Sequence, residues 1–272
     1  MQETEQEYAK KAFDDVADNY DEIPFFKISA KNVFDIIRKY KTKDDVNILD
    51  VACGTGNVVL ECAACMPSAT FDAVDMAEGM LKKAQDNARQ QNLDHIYFHL
   101  QDVTKLTLDK KYDVITCAYA LFFLPEAHKV LQDLVSLLRD DGIVIFTSFT
   151  EQAFKVSSEI LLPLLVKYGS NAAKEYDIHK WENLKYPKDI EKLCTLAHVQ
   201  LVEIQSKEIR YGMSIDAWWE LMNNTGFKGM LMELRSEAYE SLKQEYFMAM
   251  INHADMDGEV ELVADSWYVV VK

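Results

Sequence analysis

The sequence predicts an α/β fold, with a doubly wound and mostly parallel sheet that carries helices on both faces and a helical cap. Between residues 46 and 150, short apolar runs alternate with longer segments of helical periodicity, which is the order typical of a parallel sheet covered by helices. The apolar runs are almost continuous, as expected for strands that are buried on both sides. These predicted strands are Val46–Ala52, Phe71–Val74, Ile96–Leu100, Tyr112–Ala118 and Ile143–Phe149.

Helical periodicity fills the chain between and around these strands. It is clearest at Glu78–Gln91 and Glu126–Arg139, where apolar residues recur every three or four positions. Residues 7–40 and most of residues 151–198 are also predicted to be helical. The remainder predicts a strand, a helical stretch and a final strand that extend the same sheet, at Leu201–Tyr211, residues 214–250 and Glu261–Val271.

The chain is acidic, because its 272 residues include 29 basic and 45 acidic side chains and carry a net charge of −16. Proteins bind a phosphate backbone by neutralising it with Lys and Arg, so the charge argues against a nucleic-acid partner. There is no apolar run of the length that a membrane-spanning helix needs. The start of the sequence is polar and acidic and lacks the features of a secretion signal, so we expect a cytoplasmic protein.

Five cysteines are present without the regular spacing of a disulfide framework. Cys62 and Cys65 form a CxxC pair, but no second pair or thioredoxin-like setting accompanies it. A three-residue spacing on a helix places both side chains on one face, where a buried thiol acts as a small apolar group. We therefore expect a structural role for both cysteines and predict no metal site.

The central motif runs from Ile48 to Asn57, where an apolar strand ends in an acidic residue and a Gly-x-Gly turn opens a helix. Gly54 and Gly56 allow a sharp turn and let a ligand lie against the backbone. The third glycine of a dinucleotide-binding fingerprint is replaced by Val59. The Asp50 carboxylate would repel a pyrophosphate, but it suits a ligand with a cationic amino group and no phosphate, such as S-adenosylmethionine.

The second predicted strand leads into Asp75 and Met76. A carboxylate at this strand end can accept hydrogen bonds from both hydroxyls of a ribose, and Met76 can pack on the face of an adenine. The alternative is that Asp75 caps the following helix, since Asp is a favoured N-cap residue. Both roles are compatible with each other.

The next two strands bring further candidates to the same edge of the sheet. Asp102 follows the third strand and can accept from the exocyclic amine of adenine, while the backbone N–H of Val103 donates to a ring nitrogen. Cys117 lies near the end of the fourth strand. Because ligands of open α/β sheets bind at the carboxyl ends of strands, these strand ends together predict a nucleoside site.

Taken in order, these motifs resemble those of the Rossmann-like S-adenosylmethionine-dependent methyltransferases, in particular the branch similar to ubiquinone and menaquinone biosynthesis methyltransferases. The matching segments lie within residues 10–150 and read LDVACGTGN, AVDMAEGMLKKA, LQDVTKL, YDVITCAYALFFLP and LRDDGIVIFTSF. The segment from Ala12 to Asp21 is similar to the N-terminal signature of that branch.

The resemblance implies a seven-stranded sheet and a bound S-adenosylmethionine, which becomes S-adenosylhomocysteine when the methyl group is transferred. It implies that Tyr20 closes over the methionine end of this cofactor and that the backbone at Ala52 and Cys117 holds its amino group. The side chains and glycines implied to hold the cofactor are Asp50, Gly54, Gly56, Asp75 and Asp102.

The predicted organisation is one methyltransferase domain over residues 1–272. Residues 1–45 would form a helical lid, residues 46–150 the cofactor-binding core, and residues 151–272 a helical cap with the last strands of the sheet. Enzymes that methylate amines of nucleic acids carry an Asn/Asp-Pro-Pro-Tyr/Phe motif after the fourth strand, where this chain reads CAYA. Together with the acidic charge, this departure predicts a small-molecule acceptor.

Two other functions are compatible with parts of this pattern. A non-catalytic regulatory protein that binds S-adenosylmethionine would show the same binding motifs. A nicotinamide-dependent oxidoreductase is a weaker alternative, because Val59 and Asp50 depart from its fingerprint.

No catalytic residue is predicted, because no histidine stands in a catalytic motif: the candidates are His95, His99, His128, His179, His198 and His253. Aromatic side chains around the expected acceptor site suit either an apolar or cationic acceptor or an ordinary core: Phe25, Phe26, Tyr119, Phe122, Phe123, Trp218 and Trp219. Neighbouring positions on a helix diverge by about 100°, so at most one of the two tryptophans is expected to face a pocket.

Overall fold

The computed structural model describes residues 20–176, 180–225 and 227–272 of the chain. The part of the predicted lid that precedes Tyr20 lies outside the described residues, and so does His179. No helix among the described residues is both long and apolar enough to cross a bilayer.

The chain divides into two compact units. The first comprises the chain up to Thr150 together with Trp181–Lys207 and Ser266–Lys272. The second comprises Glu151–Lys180 and Glu208–Asp265. The functional division into lid, core and cap stays a prediction.

The strands and helices are numbered in chain order. The strands are β1 (Asn47–Val51), β2 (Thr70–Asp75), β3 (Ile96–Leu100), β4 (Tyr112–Ala118), β5 (Leu138–Phe149), β6 (Leu201–Lys207), β7 (Arg210–Ser214), β8 (Glu259–Val263) and β9 (Ser266–Val271). The α-helices are α1 (Pro24–Tyr40), α2 (Asn57–Cys65), α3 (Glu78–Gln90), α4 (Ala127–Ser136), α5 (Lys155–Tyr168), α6 (Asn171–Glu175), α7 (Pro187–Ala197), α8 (Ile215–Asn223), α9 (Lys228–Met232) and α10 (Ser236–Ile251). Short 3-10 turns occur at Tyr20–Glu22, Val103–Lys105, Leu121–Phe123 and Trp181–Asn183.

The first unit contains a seven-stranded sheet in the order β3-β2-β1-β4-β5-β9-β6. Strands β1 to β5 are parallel to one another, and β9 runs antiparallel to both of its neighbours. The predicted doubly wound, mostly parallel sheet of seven strands is therefore confirmed.

Both faces of this sheet are covered by apolar helix faces. Side chains alternate between the two faces of a strand, so Ile48 and Leu49 of β1 belong to different hydrophobic clusters. The first cluster includes residues of α1 and α2, and the second includes residues of α4 and α7. Burial on both sides explains the continuous apolar runs of the central strands.

Two strands predicted near the end of the chain are each divided in two. The predicted strand Leu201–Tyr211 becomes β6 and β7, and Glu261–Val271 becomes β8 and β9. Only β6 and β9 join the seven-stranded sheet, whereas β7 and β8 pair in a separate antiparallel ribbon. The carboxylate of Asp265 accepts from the N–H of Ile209 at 3.1 Å and from Arg210 Nη2 at 2.7 Å. Within the second unit, these bonds join the two places at which the predicted strands divide.

The boundary between α4 and β5 also differs from the prediction. The helix ends at Ser136 rather than Arg139, and β5 begins at Leu138 rather than Ile143. Leu138 pairs with Tyr112, and regular pairing resumes at Ile143 after an irregular stretch of exposed polar residues. The predicted helix was therefore too long, because its periodicity continued into residues that form an irregular part of β5.

The second unit has its own aromatic core. Trp218 and Trp219 on α8 are both buried. The Trp218 Nε1 atom donates to the carbonyl of Val260 at 3.0 Å, and the Trp219 ring packs on Tyr239 and Tyr246 with centroid distances of 5.4 Å. Both tryptophans are thus core residues of this unit.

A buried network of hydroxyl groups joins α1, the end of β4 and β9 within the first unit. The Tyr119 hydroxyl lies 2.8 Å from the Oγ atoms of both Ser29 and Ser266, and the Tyr268 hydroxyl donates to Ser29 Oγ at 2.8 Å. Tyr119 has a φ of 53°, in the left-handed region that strains residues with a Cβ, and its N–H donates to Thr147 Oγ1 at 3.0 Å. Burial raises the pKa of the Tyr119 hydroxyl, so it remains a neutral donor that stabilises the turn after β4.

Tyr119→Phe removes this hydroxyl and its buried hydrogen bonds with Ser29 and Ser266. A hydrogen bond contributes about 0.5–1.5 kcal/mol, so the loss of two should lower the free energy of unfolding by about 1–3 kcal/mol. Urea denaturation at constant m-value measures the change.

Tyr97→Phe is the matched control, because Tyr97 is 57% exposed on β3. Its free energy of unfolding should remain within about 0.5 kcal/mol of the unaltered protein. Equal stability of Tyr119→Phe and the unaltered protein would contradict a stabilising role for the network.

Candidate functional site

The candidate site lies where the parallel strands of the first unit end. β1 has β2 on one side and β4 on the other, so the direction of winding reverses between β1 and β4. Open α/β sheets bind ligands at the carboxyl ends of the strands beside such a switch point. The pairing of β1 with β4 ends at Asp50 and Thr116, and Cys117 and Ala118 continue β4 past that pair.

The chain leaves β1 through a tight turn with left-handed residues. The φ angles are 50° at Ala52, 56° at Gly54 and 91° at Gly56, and left-handed backbone costs about 1–2 kcal/mol for a residue with a Cβ. A Cβ on Gly54 would meet no described atom within 4 Å, whereas one on Gly56 would lie 3.2 Å from Ala84 Cβ on α3. Gly54 therefore borders open space, and Gly56 lets α3 approach the turn.

Asp50 is a buried carboxylate with one unsatisfied oxygen. Its side chain is 2% exposed, and it accepts from Thr116 Oγ1 at 2.7 Å through Oδ1. Oδ2 has no hydrogen-bond partner among the described residues. Burial raises the pKa of Asp50 to about 7, although hydrogen bonds from Thr116 and from the Val59 backbone oppose the rise. An unpaired buried oxygen is unfavourable, so the position fits the cationic amino group of a ligand.

Asp75 at the end of β2 holds two backbone N–H groups. Its Oδ2 accepts from Gly54 at 2.8 Å, and its Oδ1 accepts from Ala77 at 2.9 Å. The N-cap of α3 is Ala77, without a side-chain cap bond, so the alternative of Asp75 as the N-cap is wrong. The Asp75 bond to the Ala77 N–H fixes the residue before the helix, and the bond to Gly54 ties the turn to β2. A carboxylate oxygen can accept more than one hydrogen bond, and contact of Asp75 with a ribose stays a prediction. Met76 beside it is half-buried, and its contact with adenine stays a prediction.

Asp102 and Val103 stand just after β3. Asp102 Oδ1 accepts from the N–H and the hydroxyl of Thr104 at 2.9 and 2.8 Å, which fixes the start of the 3-10 turn. Both of these bonds are made to Oδ1, so Oδ2 is the oxygen that can accept from a ligand amine. The Val103 side chain is buried in the core, so a ligand would meet its backbone. Adenine recognition at this place stays a prediction.

Cys117 and Tyr20 are the remaining predicted site residues. The Cys117 side chain is fully buried and burial raises the pKa of its thiol, so only its backbone suits a ligand. The Tyr20 ring stacks on Phe26 at a centroid distance of 4.5 Å and packs against Ala77 and Met80. Tyr20 therefore lies beside the β2–α3 connection, and its closure over a bound cofactor stays a prediction.

Several polar residues at this site were not identified from the sequence. Thr116 supports Asp50 from the neighbouring strand. Asp21 receives hydrogen bonds from Thr55, Asn57 and Asn87. Thr55 and Asn57 stand in the Gly-x-Gly segment itself, which was their only signal in the sequence. The distant partners Asp21 and Asn87 become neighbours only through the fold.

No histidine in the described part of the chain is hydrogen-bonded to Asp50, Asp75 or Asp102, so none is assigned as a general base. His99 Nε2 lies 2.8 Å from Asp72 Oδ1, and His198 ends α7 in the left-handed conformation. His95, His128 and His253 lie before β3, on α4 and after α10. Among the described residues, no group of three or more His, Cys, Asp or Glu side chains is placed to hold a metal.

The cysteines of the CxxC pair are free thiols. Cys62 is fully buried in the first hydrophobic cluster, whereas Cys65 is exposed at the end of α2. Burial raises the pKa of the Cys62 thiol, which keeps it protonated. A structural role for Cys62 fits this environment.

The remaining aromatic candidates divide between core and surface. Phe25, Tyr119 and Phe149 form one cluster, with the Tyr119 and Phe149 rings stacked at 4.5 Å. Phe122 lies 4.5 Å from Phe123 between ring centroids, and Phe123 is 54% exposed. Aromatic side chains therefore surround the end of β4 within the first unit.

Comparisons with known proteins agree with this architecture. Residues 42–219 match the sequence model of a family described as a methyltransferase domain. A malonyl-[acyl-carrier protein] O-methyltransferase of Bacillus cereus is 32% identical over 148 residues, which cover 54% of this chain and 54% of the relative. The match thus spans about half the length of that relative.

Two further relatives extend the comparison. A demethylmenaquinone methyltransferase of Listeria welshimeri is 22% identical over 199 residues, covering 69% of this chain and 84% of that protein. The crystal structure of a methyltransferase-like protein of Bacillus halodurans superposes with a TM-score of 0.57 at 16% identity, covering 87% of this chain and 96% of the other. Because the sequence identity is 16%, this structural similarity supports the fold alone.

Asp50→Asn tests whether burial of this carboxylate is costly in the ligand-free protein. A pKa near 7 in the folded state lies above the value of 3.8 expected without burial. The contribution of Asp50 to stability is therefore fully present below about pH 4 and is lost as the pH rises towards 7. The variant does not ionise, so its free energy of unfolding should rise relative to that of the unaltered protein as the pH increases from about 4 to about 7.

Urea denaturation at several pH values measures this difference. The two stability profiles should converge at low pH and separate as the pH rises. Profiles that run parallel from pH 5 to pH 8 would show that Asp50 is not buried in the way described.

Proposed function

Because this chain belongs to the methyltransferase-domain family, we propose that it transfers the methyl group of S-adenosylmethionine to a small-molecule acceptor. The family membership confirms the predicted resemblance to methyltransferases and supports S-adenosylmethionine as the methyl donor. Neither alternative gains support from the comparisons, whether the regulatory protein without catalysis or the nicotinamide-dependent oxidoreductase.

The observation that carries the proposal is the unsatisfied Oδ2 atom of Asp50 at the switch point. A buried carboxylate beside a Gly-x-Gly turn disfavours a pyrophosphate and favours an ammonium group. S-adenosylmethionine combines such an amino group with the absence of phosphate, whereas NAD carries a pyrophosphate. We therefore assign Asp50, with the backbone at Ala52 and Cys117, to the methionine end of the cofactor.

The other strand ends suit the nucleoside part. Asp75 holds the turn through Gly54, which places its carboxylate beside the turn, where it would accept from the ribose hydroxyls. Asp102 keeps Oδ2 for the adenine amine, and Met76 and Val103 lie next to these two carboxylates in the sequence. Tyr20, beside the β2–α3 connection, would cover the site.

The sulfonium group of S-adenosylmethionine supplies a methyl group that is already activated for transfer. The protein's part is to align the acceptor and to exclude water, which together can lower a barrier by about 7–11 kcal/mol. A general base is required only for an acceptor that loses a proton as it reacts. Of the described histidines, His99 lies near the end of β3, but its Nε2 atom is within hydrogen-bond distance of Asp72, so no histidine is assigned as that base.

The net charge of the chain and the names of its relatives indicate which chemical classes of acceptor to test. A net charge of −16 disfavours nucleic acid. One relative is named for a malonyl group on an acyl carrier protein and another for demethylmenaquinone, so a panel of acceptors should contain malonyl thioesters and reduced quinones. A cytoplasmic location remains a prediction from the sequence.

The direct test is calorimetric titration of the full chain with S-adenosylhomocysteine and, separately, with NAD. We expect binding of the sulfur nucleoside and none of NAD, because Asp50 would face the NAD pyrophosphate. Formation of S-adenosylhomocysteine with the acceptor panel then separates an enzyme from a regulatory binding protein. Binding of NAD without binding of S-adenosylhomocysteine would refute the proposal.

The same titration with the Asp75→Ala variant tests the role of Asp75. Hydrogen bonds to a charged group contribute about 1.5–3 kcal/mol, so affinity for S-adenosylhomocysteine should fall by roughly 10- to 100-fold. Stability should fall as well, because the variant also loses the bonds to Gly54 and Ala77. Normal affinity in a less stable Asp75→Ala protein would restrict Asp75 to its structural role.

A further inference from the structure

The 3-10 turn Tyr20–Glu22 is attached to the rest of the first unit through one carboxylate. Asp21 Oδ1 accepts from Thr55 Oγ1 at 2.5 Å and from Asn57 Nδ2 at 3.5 Å. Asp21 Oδ2 accepts from Asn87 Nδ2 at 2.7 Å. The three donors come from the Gly-x-Gly turn, the first residue of α2 and the body of α3.

These donors also contact one another. Asn57 Nδ2 donates to Thr55 Oγ1 at 3.1 Å, and Asn87 Nδ2 donates to the carbonyl of Thr55 at 3.2 Å. Thr55 is 1% exposed, so its hydroxyl requires a partner inside the protein. Asp21 supplies that acceptor, and the four residues form one connected group.

Asp21 has no local role that would explain its position. The following helix α1 begins at Pro24 with Ile23 as its N-cap, and no side chain caps it. Within the described ranges, Asp21 forms no ion pair with Lys or Arg. Its bonds are made by neutral donors to a charged acceptor, which are stronger than bonds between neutral groups.

The neighbouring Tyr20 contacts a different loop of the same site. Its ring packs against Ala77 and Met80, after the end of β2, while Asp21 bonds to Thr55 after the end of β1. The 3-10 turn therefore contacts both the Gly-x-Gly turn after β1 and the start of α3 after β2.

We propose that Asp21 is a positioning residue, which fastens the Tyr20–Glu22 turn to the Gly-x-Gly turn and thereby places Tyr20 at the cofactor site. This inference rests on the proposed function, since it requires the cofactor to bind at these strand ends. Asp21 itself acts through Thr55, Asn57 and Asn87.

The test compares Asp21→Ala and Asp21→Asn with the unaltered full chain by calorimetric titration with S-adenosylhomocysteine. Loss of the carboxylate should weaken binding by about 10-fold, equivalent to about 1.4 kcal/mol. Hydrogen exchange of residues 20–26 should lose the added protection that S-adenosylhomocysteine gives in the unaltered protein. Asp35→Asn, on the exposed face of α1, is the control that should leave both measurements unchanged.

A reciprocal exchange separates positioning from general damage to the fold. Asn87→Asp alone places two carboxylates at hydrogen-bond distance and should weaken binding. Combining it with Asp21→Asn restores one donor and one acceptor across the same contact, although the bond from residue 87 to the Thr55 carbonyl stays lost. At least a threefold recovery of affinity relative to Asn87→Asp is therefore expected.

The outcomes are distinct. Affinity of Asp21→Ala within twofold of the unaltered protein would overturn the inference, and so would a double variant that binds more weakly than both single variants. Failure of the unaltered chain to bind S-adenosylhomocysteine would overturn the proposed function instead.

Discussion

The Asp50 carboxylate is fixed at the switch point of the sheet by the Thr116 hydroxyl, with its second oxygen unsatisfied and buried, and the rest of the site is arranged around it. Burial raises its pKa to about 7, so the ligand-free protein holds a group that ionises readily once a cation arrives. An uncompensated buried charge destabilises a fold. The position is therefore better explained by a ligand than by stability, as is common where pKa values are strongly perturbed at a cleft.

The neighbouring carboxylates have a different character, because they are already engaged with the protein. Asp75 holds the backbone of Gly54 and Ala77, and Asp102 holds the turn that contains Thr104. Any ligand contact they make would be in addition to these bonds, because a carboxylate oxygen can accept more than one hydrogen bond. In the proposed function these residues both shape the loops and bind the cofactor, so a change at Asp75 is expected to affect stability as well as affinity.

Much of the fold and part of the site could be predicted from the sequence. The continuous apolar strands and the Gly-x-Gly turn after β1 are local signals, and they predict the sheet and the placement of Asp50, Asp75 and Asp102 at one edge. Asp21 could not be assigned in the same way, because its partners Thr55 and Asn87 are 34 and 66 residues away. The division of the last predicted strands at Asp265 also depends on contacts that periodicity does not reveal.

The measurement that tests the central claim most directly is the number of protons released when S-adenosylhomocysteine binds. Calorimetry in buffers of different ionisation enthalpy at pH 6 provides this number. Asp50 is mostly protonated at that pH when ligand-free, and a neighbouring ammonium group lowers the pKa of a carboxyl. Binding to the unaltered protein should therefore release about one proton more than binding to Asp50→Asn. Equal proton release by the two proteins would contradict the assignment of Asp50 to the amino group of the cofactor.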